Sequence, residues 1–250
     1  MFTLENMLFY DKTFNEKHTL GVTLLQSVQE DIKETNKIEV TDLPADNLKY
    51  YDVGAGLIWD KVESKMVKWN MASFMARVNY NYLGRYLLTL SARYDGSSRL
   101  ADGHKWVLFP SAALAWRINE EEFMEKADWL DNLKLRFGFG KTGNSAVDPY
   151  QTKGGLKIYK YPFGDGAIGY APDVMANSLL TWETTDSWNL AVDFGILRGR
   201  INGTVELYLQ NTHDLLLERQ LPVVSGFSKV LSNVGKTRNK GIEVSLNTLN

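Results

Sequence analysis

The stretch that decides the fold is "SFMARVNYNYLGRYLLTLSAR", residues 73–93. Apolar and polar side chains alternate along it, which is the period of a β-strand and not that of a helix. Leu83, Gly84 and Arg85 interrupt the alternation. The stretch therefore predicts two antiparallel strands joined by a tight turn. The residues predicted to share the apolar face are Phe74, Ala76, Val78, Tyr80 and Tyr82, followed by Tyr86, Leu88, Leu90 and Ala92.

The same alternation recurs along the rest of the chain, and it predicts roughly eight to ten strands in all. Several are close to the length of about 9 to 11 residues that a tilted strand needs to cross the hydrocarbon layer of a membrane. Short and long connections roughly alternate, and the longest are predicted over 141–180 and 213–238. The other segments with this pattern are 18–27, 111–118, 133–140, 187–194, 201–210 and 241–247.

One segment, "NEEEFMEKADWLD" at residues 119–131, predicts a short helix. Asn119 suits the capping position, and the three glutamates that follow suit the positive end of the helix dipole. Phe123 and Ala127 fall on one helical face. The glutamates are therefore interpreted as helix-start chemistry and not as a catalytic pair of carboxylates.

Alternation alone fits two architectures, a soluble β-sandwich with its apolar face inward and a membrane barrel with its apolar face toward lipid. A charged polar face suits the wet lumen of a barrel, and aromatic residues near strand ends suit its interfacial girdles. The residues by themselves leave both alternatives open. The predicted lumen residues are Arg77, Arg93, Arg117, Lys134, Arg136, Asp193 and Glu206, and the predicted girdle residues are Tyr82, Tyr94, Trp106, Trp182 and Tyr208.

Composition argues against several classes of function. The 28 basic and 30 acidic side chains give a net charge of −2, which lacks the basic field of a nucleic-acid-binding protein. The chain has no cysteine, and His18, His104 and His213 are far apart, so we predict neither a metal site nor a cysteine nucleophile. The sequence opens without a secretory signal pattern, and no run of about 18 apolar residues predicts a transmembrane helix.

The string "GFGKTG" at residues 138–143 matches the glycine pattern of a dinucleotide-binding turn. Such a turn must be followed by a helix whose amino end receives the phosphates. Here "NSAVDPYQTKGG" follows, with a proline and two glycines, and Leu135 stands where the first glycine of a P-loop belongs. We therefore interpret the string as a strand that reaches its end, and we predict no nucleotide cofactor.

Four segments carry a resemblance to a known family. They are "NYNYLGRYLLTLSARYDGSSRLADGHKWVLFPSAALAWRINEEEF" (79–123), "LKLRFGFGKTGN" (133–144), "LLTWETTDSWNLAVDFGILRGRINGTVELYLQNTHDLLL" (179–217) and "LPVVSGFSKVLSNVGKTRNKGIEVSL" (221–246). In order and spacing they resemble the signature regions of SusC/RagA-type TonB-dependent (TonB-linked) outer-membrane transporters. Two positions depart from the family pattern, where Leu100 replaces an aromatic residue and Phe139 replaces a tyrosine.

The resemblance implies an all-β fold, part of a large antiparallel transmembrane β-barrel of about 22 strands. Residues 1–250 would form a partial barrel domain, with the signal peptide, TonB box and plug outside this chain. It also implies import of oligosaccharides or peptides across the outer membrane of a Gram-negative bacterium, with a SusD-like lipoprotein and the TonB complex as partners. It implies no enzyme activity, catalytic residue, cofactor or metal. The alternative from another class is a soluble β-sandwich carbohydrate-binding module.

The predicted loop at 151–177 contains the candidate ligand-binding residues. Tyr159, Tyr161, Phe163 and Tyr170 stand among glycines there. Their rings can stack on sugars or pack against a lid protein. The alternative is that the rings order a long loop by packing within it. The sequence leaves both interpretations open.

Overall fold

The computed structural model describes residues 1–45, 47, 49–161 and 167–249. These residues form thirteen β-strands and a few short 3-10 turns, and no helix among them is both long and apolar enough to cross a membrane. The strands are β1 Phe2–Phe14, β2 His18–Thr41, β3 Ile58–Tyr82, β4 Tyr86–Ser97, β5 Trp106–Arg117, β6 Leu130–Asn144, β7 Gly155–Tyr161, β8 Ala167–Val174, β9 Glu183–Ile196, β10 Ile201–His213, β11 Leu216–Gln220, β12 Lys229–Asn233 and β13 Lys236–Thr248. The 3-10 turns are Val53–Ala55, Ile118–Glu120, Glu122–Met124, Gln151–Lys153 and Val223–Ser225.

Nine strands form one antiparallel sheet in the order β1-β2-β3-β4-β5-β6-β9-β10-β13. The other four form a small sheet in the order β11-β12-β8-β7, in which β12 and β8 are parallel. The thirteen strands exceed the roughly eight to ten predicted in all, although the nine of the large sheet fall within that number. The small sheet was not predicted, because its strands have only 5 to 8 residues and lie inside the two longest predicted loops.

The two ends of the nine-stranded sheet differ in how their strands are joined. At the turn end the connections are residues 15–17, 83–85, 118–129 and 197–200. At the loop end they are residues 42–57, 98–105, 145–182 and 214–235. The predicted rough alternation of short and long connections is confirmed with one exception, since the 12 residues of 118–129 at the turn end outnumber the 8 residues of 98–105 at the loop end. The tight turn at 83–85 is confirmed.

The tight turns at the turn end use left-handed backbone. Leu83 and Gly84 have φ of 55° and 71°, and Leu197, Arg198 and Gly199 also have positive φ. Hairpin turns with successive positive φ values match the right-handed twist of the strands they connect. The glycine at 84 is the residue type that adopts this conformation without strain.

The helix predicted near 119–131 is wrong as a continuous element. The segment holds only the 3-10 turns Ile118–Glu120 and Glu122–Met124, and β6 already begins at Leu130. Between the two turns Glu121 is extended, with φ −83° and ψ 145°, because its carboxylate binds side chains of two strands and not the helix backbone. Asn119 does not cap a helix, since its Oδ1 accepts a hydrogen bond from Leu133 N–H at 3.3 Å.

The register of the sheet brings the predicted apolar residues onto one face. One row runs through directly paired positions across seven strands: Tyr80, Leu88, Leu114, Phe137, Leu190, Leu207 and Ile242. Leu114 remains 51% exposed and Ile242 68% exposed. A soluble sandwich would bury this face under a second sheet, since each apolar side chain left in water forgoes about 1.5–3 kcal/mol. The structure therefore gives no support to the soluble alternative.

The buried side chains gather at the loop end, on the opposite face of the sheet. Phe109 comes from β5, and the others come from two of the long connections, residues 98–105 and 145–182. Phe109 and Trp182 meet edge to face, with ring centroids 5.4 Å apart. This loop-end cluster, which joins the connections to the strands, consists of Leu100, Ala101, Phe109, Val147, Leu180 and Trp182.

Candidate functional site

Two bands of aromatic residues border the exposed apolar face. At the turn end, neighbouring rings of the row His18, Tyr82, Tyr86 and Trp116 have centroids 4.8 to 6.3 Å apart. Toward the loop end, Trp106 stacks with Tyr94 at 4.9 Å and with Phe74 at 6.3 Å. The residue pairs Tyr82 and Tyr86, and Phe74 and Tyr94, are directly opposed in the ladder.

The distance between the bands matches a membrane. Trp106 and Trp116 are the first residue and the eleventh of β5, which at about 3.3 Å per residue places them roughly 33 Å apart along the strand. A strand tilt of about 40° reduces this to roughly 25 Å along the membrane normal, the height of the apolar band of an outer-membrane barrel. The sheet therefore has the dimensions of a barrel wall.

Glu121 ties the band at the turn end to the connection between β5 and β6. Its carboxylate accepts hydrogen bonds from Tyr86 Oη at 2.6 Å and from Trp116 Nε1 at 2.9 Å, and Arg85 Nη1 lies 3.3 Å away. These hydrogen bonds hold the pKa of Glu121 below its ordinary value, with Tyr86 the largest cause. The carboxylate therefore stays charged where the strands meet the rim.

Two of the five predicted girdle residues are wrongly assigned. Trp182 is only 3% exposed, belongs to the loop-end cluster and donates its indole N–H to Lys105 O at 2.8 Å. Tyr208 lies on the polar face, because it is paired with Asn189 and Gly241 while its chain neighbours face the apolar side. An aromatic residue near a strand end can face either side of a sheet, so position along the chain was an insufficient criterion.

On the polar face, several of the predicted charges form hydrogen-bonded pairs. Arg136 donates from Nε and Nη2 to both oxygens of Asp193, at 2.7 and 2.9 Å, and Thr204 Oγ1 donates to the same carboxylate at 3.0 Å. Arg93 binds Asp95 at 2.7 Å and Ser73 at 3.1 Å. Such bidentate pairs fix the direction of long side chains. The polar face therefore presents charged groups that are held in fixed orientations.

Three of the candidate aromatic residues of the predicted loop, Tyr159, Tyr161 and Tyr170, lie on the small sheet and do not share one face. Tyr159 and Tyr161 are on one face of β7, with the Tyr161 ring above Gly169. Tyr170 is on the opposite face, directly paired with Ile158. Phe163 lies outside the described residues. The three described candidates therefore divide between two faces of the small sheet.

A cleft that the sequence did not indicate lies at the loop end, with a volume of about 360 Å³. It is bounded by the outer part of β3, by residues 98–105 and by residues 149–153. Tyr150 has φ 72° and accepts a hydrogen bond from Lys68 N–H at 3.2 Å. These two residues are far apart in the chain and belong to no local motif, so no sequence signal could have found their contact.

The string "GFGKTG" lies wholly inside strand β6. Gly138 is paired with Ala113 and Asn189 on the polar face, and Gly143 faces the rings of Phe109 and Trp182. The prediction that this string is a strand reaching its end is confirmed. Gly143 allows the close approach of two aromatic rings, which is a structural role.

The sheet has an exposed apolar face between two aromatic bands and a charged opposite face, and its connections are mostly short at one end and long at the other. Together these features define the wall of a membrane-type β-barrel. Comparison with known proteins gives the family. The family model described as TonB dependent receptor-like, beta-barrel matches residues 4–249, and the chain belongs to this family. The predicted resemblance to SusC/RagA-type proteins and the predicted all-β barrel class are confirmed.

Individual relatives agree with this assignment. The chain is 38% identical over 252 residues to TonB-dependent receptor P26 of Formosa agariphila, covering 98% of this chain and 25% of that protein. It is 39% identical over 186 residues to TonB-dependent receptor SusC of Bacteroides thetaiotaomicron, covering 71% of this chain and 18% of that protein. A structure of the RagAB peptide transporter superposes with a TM-score of 0.87 at 25% identity, over 98% of this chain and 27% of that one.

The chain thus spans about a quarter, or less, of the length of the relatives it matches. What the structure describes is accordingly a stretch of barrel wall with its loops.

Proposed function

We propose that this chain is part of the wall of an outer-membrane transporter that imports oligosaccharides or peptides with energy delivered through the TonB complex. The observation that carries the proposal is the exposed apolar face between two aromatic bands, in a chain of the TonB-dependent receptor-like family. In this proposal residues 1–250 act as one partial barrel domain in the outer membrane of a Gram-negative bacterium. The plug and TonB box belong to another part of the transporter.

The two faces of the sheet have different tasks in this proposal. The apolar face contacts outer-membrane lipid, where its exposed leucines and isoleucines are no longer in water. The polar face lines the lumen, and the pairs Arg136–Asp193 and Arg93–Asp95 present fixed charges to the plug and to passing substrate. Transport moves the substrate without making or breaking its bonds, so the proposal assigns no catalytic residue and no cofactor to the chain.

A SusD-like lipoprotein is the partner that we propose for the loop end. The small sheet carries an exposed apolar face there, where Ile158 is 58%, Ile168 62% and Tyr170 67% exposed. An apolar patch of this kind on a surface beyond the membrane suits a protein partner. Tyr159 and Tyr161, on the other face of the same sheet, remain the candidates for contact with substrate. The similarity to the RagAB peptide transporter supports the peptide option, and the similarity to SusC supports a nutrient importer in general.

The test is uptake by the host with and without this protein. Deletion of its coding sequence is expected to abolish import of a labelled oligosaccharide or peptide that the wild type accumulates, and re-expression is expected to restore it. Dissipating the proton gradient of the inner membrane is expected to stop uptake in the wild type. The protein is expected in the carbonate-washed outer membrane, and recovery in the aqueous fraction without detergent would contradict the proposal.

A further inference from the structure

We infer that the loop-end cleft is a binding subsite for an acidic sugar unit, one that carries a carboxylate or sulfate group. The inference rests on the proposed function, because it selects oligosaccharides from the proposed substrates and assigns them a charge. The volume of about 360 Å³ is near the lower end of the range of about 300–1,000 Å³ for small-molecule sites. It suits one or two sugar rings of a longer chain.

The charges around the cleft favour an anion. Lys68, Lys105 and Lys153 line it, whereas Asp102 is the one carboxylate among its described lining residues. Lys68 Nζ lies 2.8 Å from Glu30 Oε2, and Lys105 Nζ lies 2.5 Å from Asp102 Oδ1.

Both of these ion pairs are open to solvent, and pairs of this kind are weak enough to be exchanged for the anion of a ligand. Lys153 forms no ion pair within the part of the chain that the structure describes. Lys153 interacts with Asp102 only at longer range, so its ammonium group is available without breaking a close ion pair.

Tyr150 supplies the aromatic surface for a sugar ring. It is 49% exposed and is held at φ 72°, a strained conformation for a residue other than glycine. The hydrogen bond from Lys68 N–H fixes its hydroxyl. Trp69 also borders the cleft, but the Arg99 guanidinium already covers its ring at 3.9 Å. Tyr150 is therefore the ring that a sugar can stack on.

The backbone around the cleft disfavours a peptide. An extended peptide binds most simply by adding a strand to a free sheet edge. Here the edge of β3 beside the cleft is occupied, because Asn70 N–H donates to Ser98 Oγ at 2.8 Å and Ser98 N–H donates to Asn70 O at 2.9 Å. The N–H of Lys68 is engaged by Tyr150. The remaining polar side chains at the cleft, Thr152 and Ser178 with Asn70 and Ser98, match the hydroxyl groups of a sugar.

The test uses the whole protein, purified from the outer membrane of its host in detergent together with any protein that copurifies. Calorimetry measures binding of trigalacturonate, a sulfated trisaccharide, neutral maltotriose and triglutamate. The double variant Lys105→Ala with Lys153→Ala is expected to bind the preferred acidic saccharide about tenfold more weakly, because it loses charge-assisted hydrogen bonds, and to bind maltotriose unchanged. The carboxylated and the sulfated trisaccharide distinguish the two sources of the anion.

Two further variants separate the site from general effects. Tyr150→Ala is expected to weaken binding of every saccharide that binds, because it removes the stacking ring. The control Lys17→Ala with Lys126→Ala makes the same change in net charge at exposed residues of the turn end, and it is expected to bind like the wild type.

Three results would overturn the inference. One is unchanged acidic-saccharide binding by the Lys105 and Lys153 variant, the second is an equal loss of maltotriose binding, and the third is lysine-dependent binding of triglutamate as tight as that of the saccharides. If the wild type imports neutral oligosaccharides, and the lysine and Tyr150 variants bind saccharides as the wild type does, the proposed subsite fails while the proposed function stands. If the wild type neither binds nor imports any saccharide, the oligosaccharide part of the proposed function fails with it.

Discussion

The turn end and the loop end of the nine-stranded sheet are stabilised by different kinds of interaction. At the turn end, connections of three or four residues take left-handed backbone, and Glu121 joins neighbouring aromatic side chains by hydrogen bonds. At the loop end, side chains from two long connections and one strand pack into a buried cluster. Local backbone chemistry therefore fixes one rim, and long-range apolar packing fixes the other.

This difference predicts different sensitivity to substitution. A turn residue acts through its own φ and ψ, so its replacement costs the conformational strain of one residue. A residue of the loop-end cluster acts through several segments at once, so its replacement leaves a cavity between them. We therefore expect the largest effects on stability and on function at the loop end.

The largest effect is expected for Trp182→Ala. Trp182 is 3% exposed and packs against Phe109, and its loss removes about 3–5 kcal/mol from the packing of the connections. Limited proteolysis of the folded protein in detergent is expected to cut residues 98–105 and 145–182 much faster than in the wild type, and substrate uptake is expected to fall.

Trp129→Ala is the matched control for this substitution. Trp129 lies in the connection 118–129 at the turn end and is 60% exposed, so its removal leaves no cavity. It is expected to leave the cleavage pattern of the loops unchanged. Equal cleavage of the loops in both variants would show that the cluster does not hold them.

The next effect distinguishes two glycines of one strand. A Cβ at Gly143 would overlap the Phe109 ring and press on Trp182, so Gly143→Ala is expected to destabilise the protein by about 1–3 kcal/mol. At Gly140 the nearest atom is Ser111 Cβ at 3.8 Å, an ordinary contact, so Gly140→Ala is expected to be neutral or slightly stabilising. Thermal unfolding in detergent measures both. Similar midpoints for the two variants would contradict the packing seen at the loop end.

The same contrast explains what the sequence could predict. Alternation fixes which residues of "SFMARVNYNYLGRYLLTLSAR" share a face, and Leu83 with Gly84 marks the turn, because both signals are local. The identity of the loop-end cluster depends on Val147 meeting Leu100 and Trp182, and no local signal encodes contacts between separate connections. Trp182 was accordingly predicted as a girdle residue, and Tyr150 was missed.

The helix near 119–131 failed for a related reason. The capping residue, the acidic first turn and the apolar spacing are all present in the sequence, and propensity alone favours a helix. The tertiary hydrogen bonds of Glu121 to Tyr86 and Trp116 compete with that propensity, and they hold residue 121 in an extended conformation. The local helix propensity of this segment is therefore overridden by hydrogen bonds between Glu121 and side chains of β4 and β5.

A smaller effect is expected at the tight turn. Gly84 has φ 71°, and an added Cβ would meet nothing within 4 Å, so Gly84→Ala costs only the strain of left-handed alanine, about 1 kcal/mol. Leu83, at φ 55°, is already strained, and Leu83→Asn is expected to stabilise by a few tenths of a kcal/mol, since asparagine tolerates this region. Thermal midpoints are expected to move in opposite directions for the two variants. A shift in the same direction would show that contacts, and not backbone conformation, decide the stability of this turn.

The smallest effect is expected for Glu121→Gln, and it depends on pH. The hydrogen bonds from Tyr86 and Trp116 hold the pKa of Glu121 below that of an unfolded carboxyl, so its contribution to stability is complete above the ordinary carboxyl pKa. That contribution is lost as the pH falls through the lowered pKa of the folded state.

The wild type is therefore expected to unfold at a higher temperature than Glu121→Gln at neutral pH, and the difference is expected to vanish in acid. Glu122→Gln changes an exposed neighbouring carboxylate and is expected to match the wild type throughout. If the difference between the wild type and Glu121→Gln grows in acid, the charge of Glu121 opposes folding, and the turn end cannot owe its order to this carboxylate.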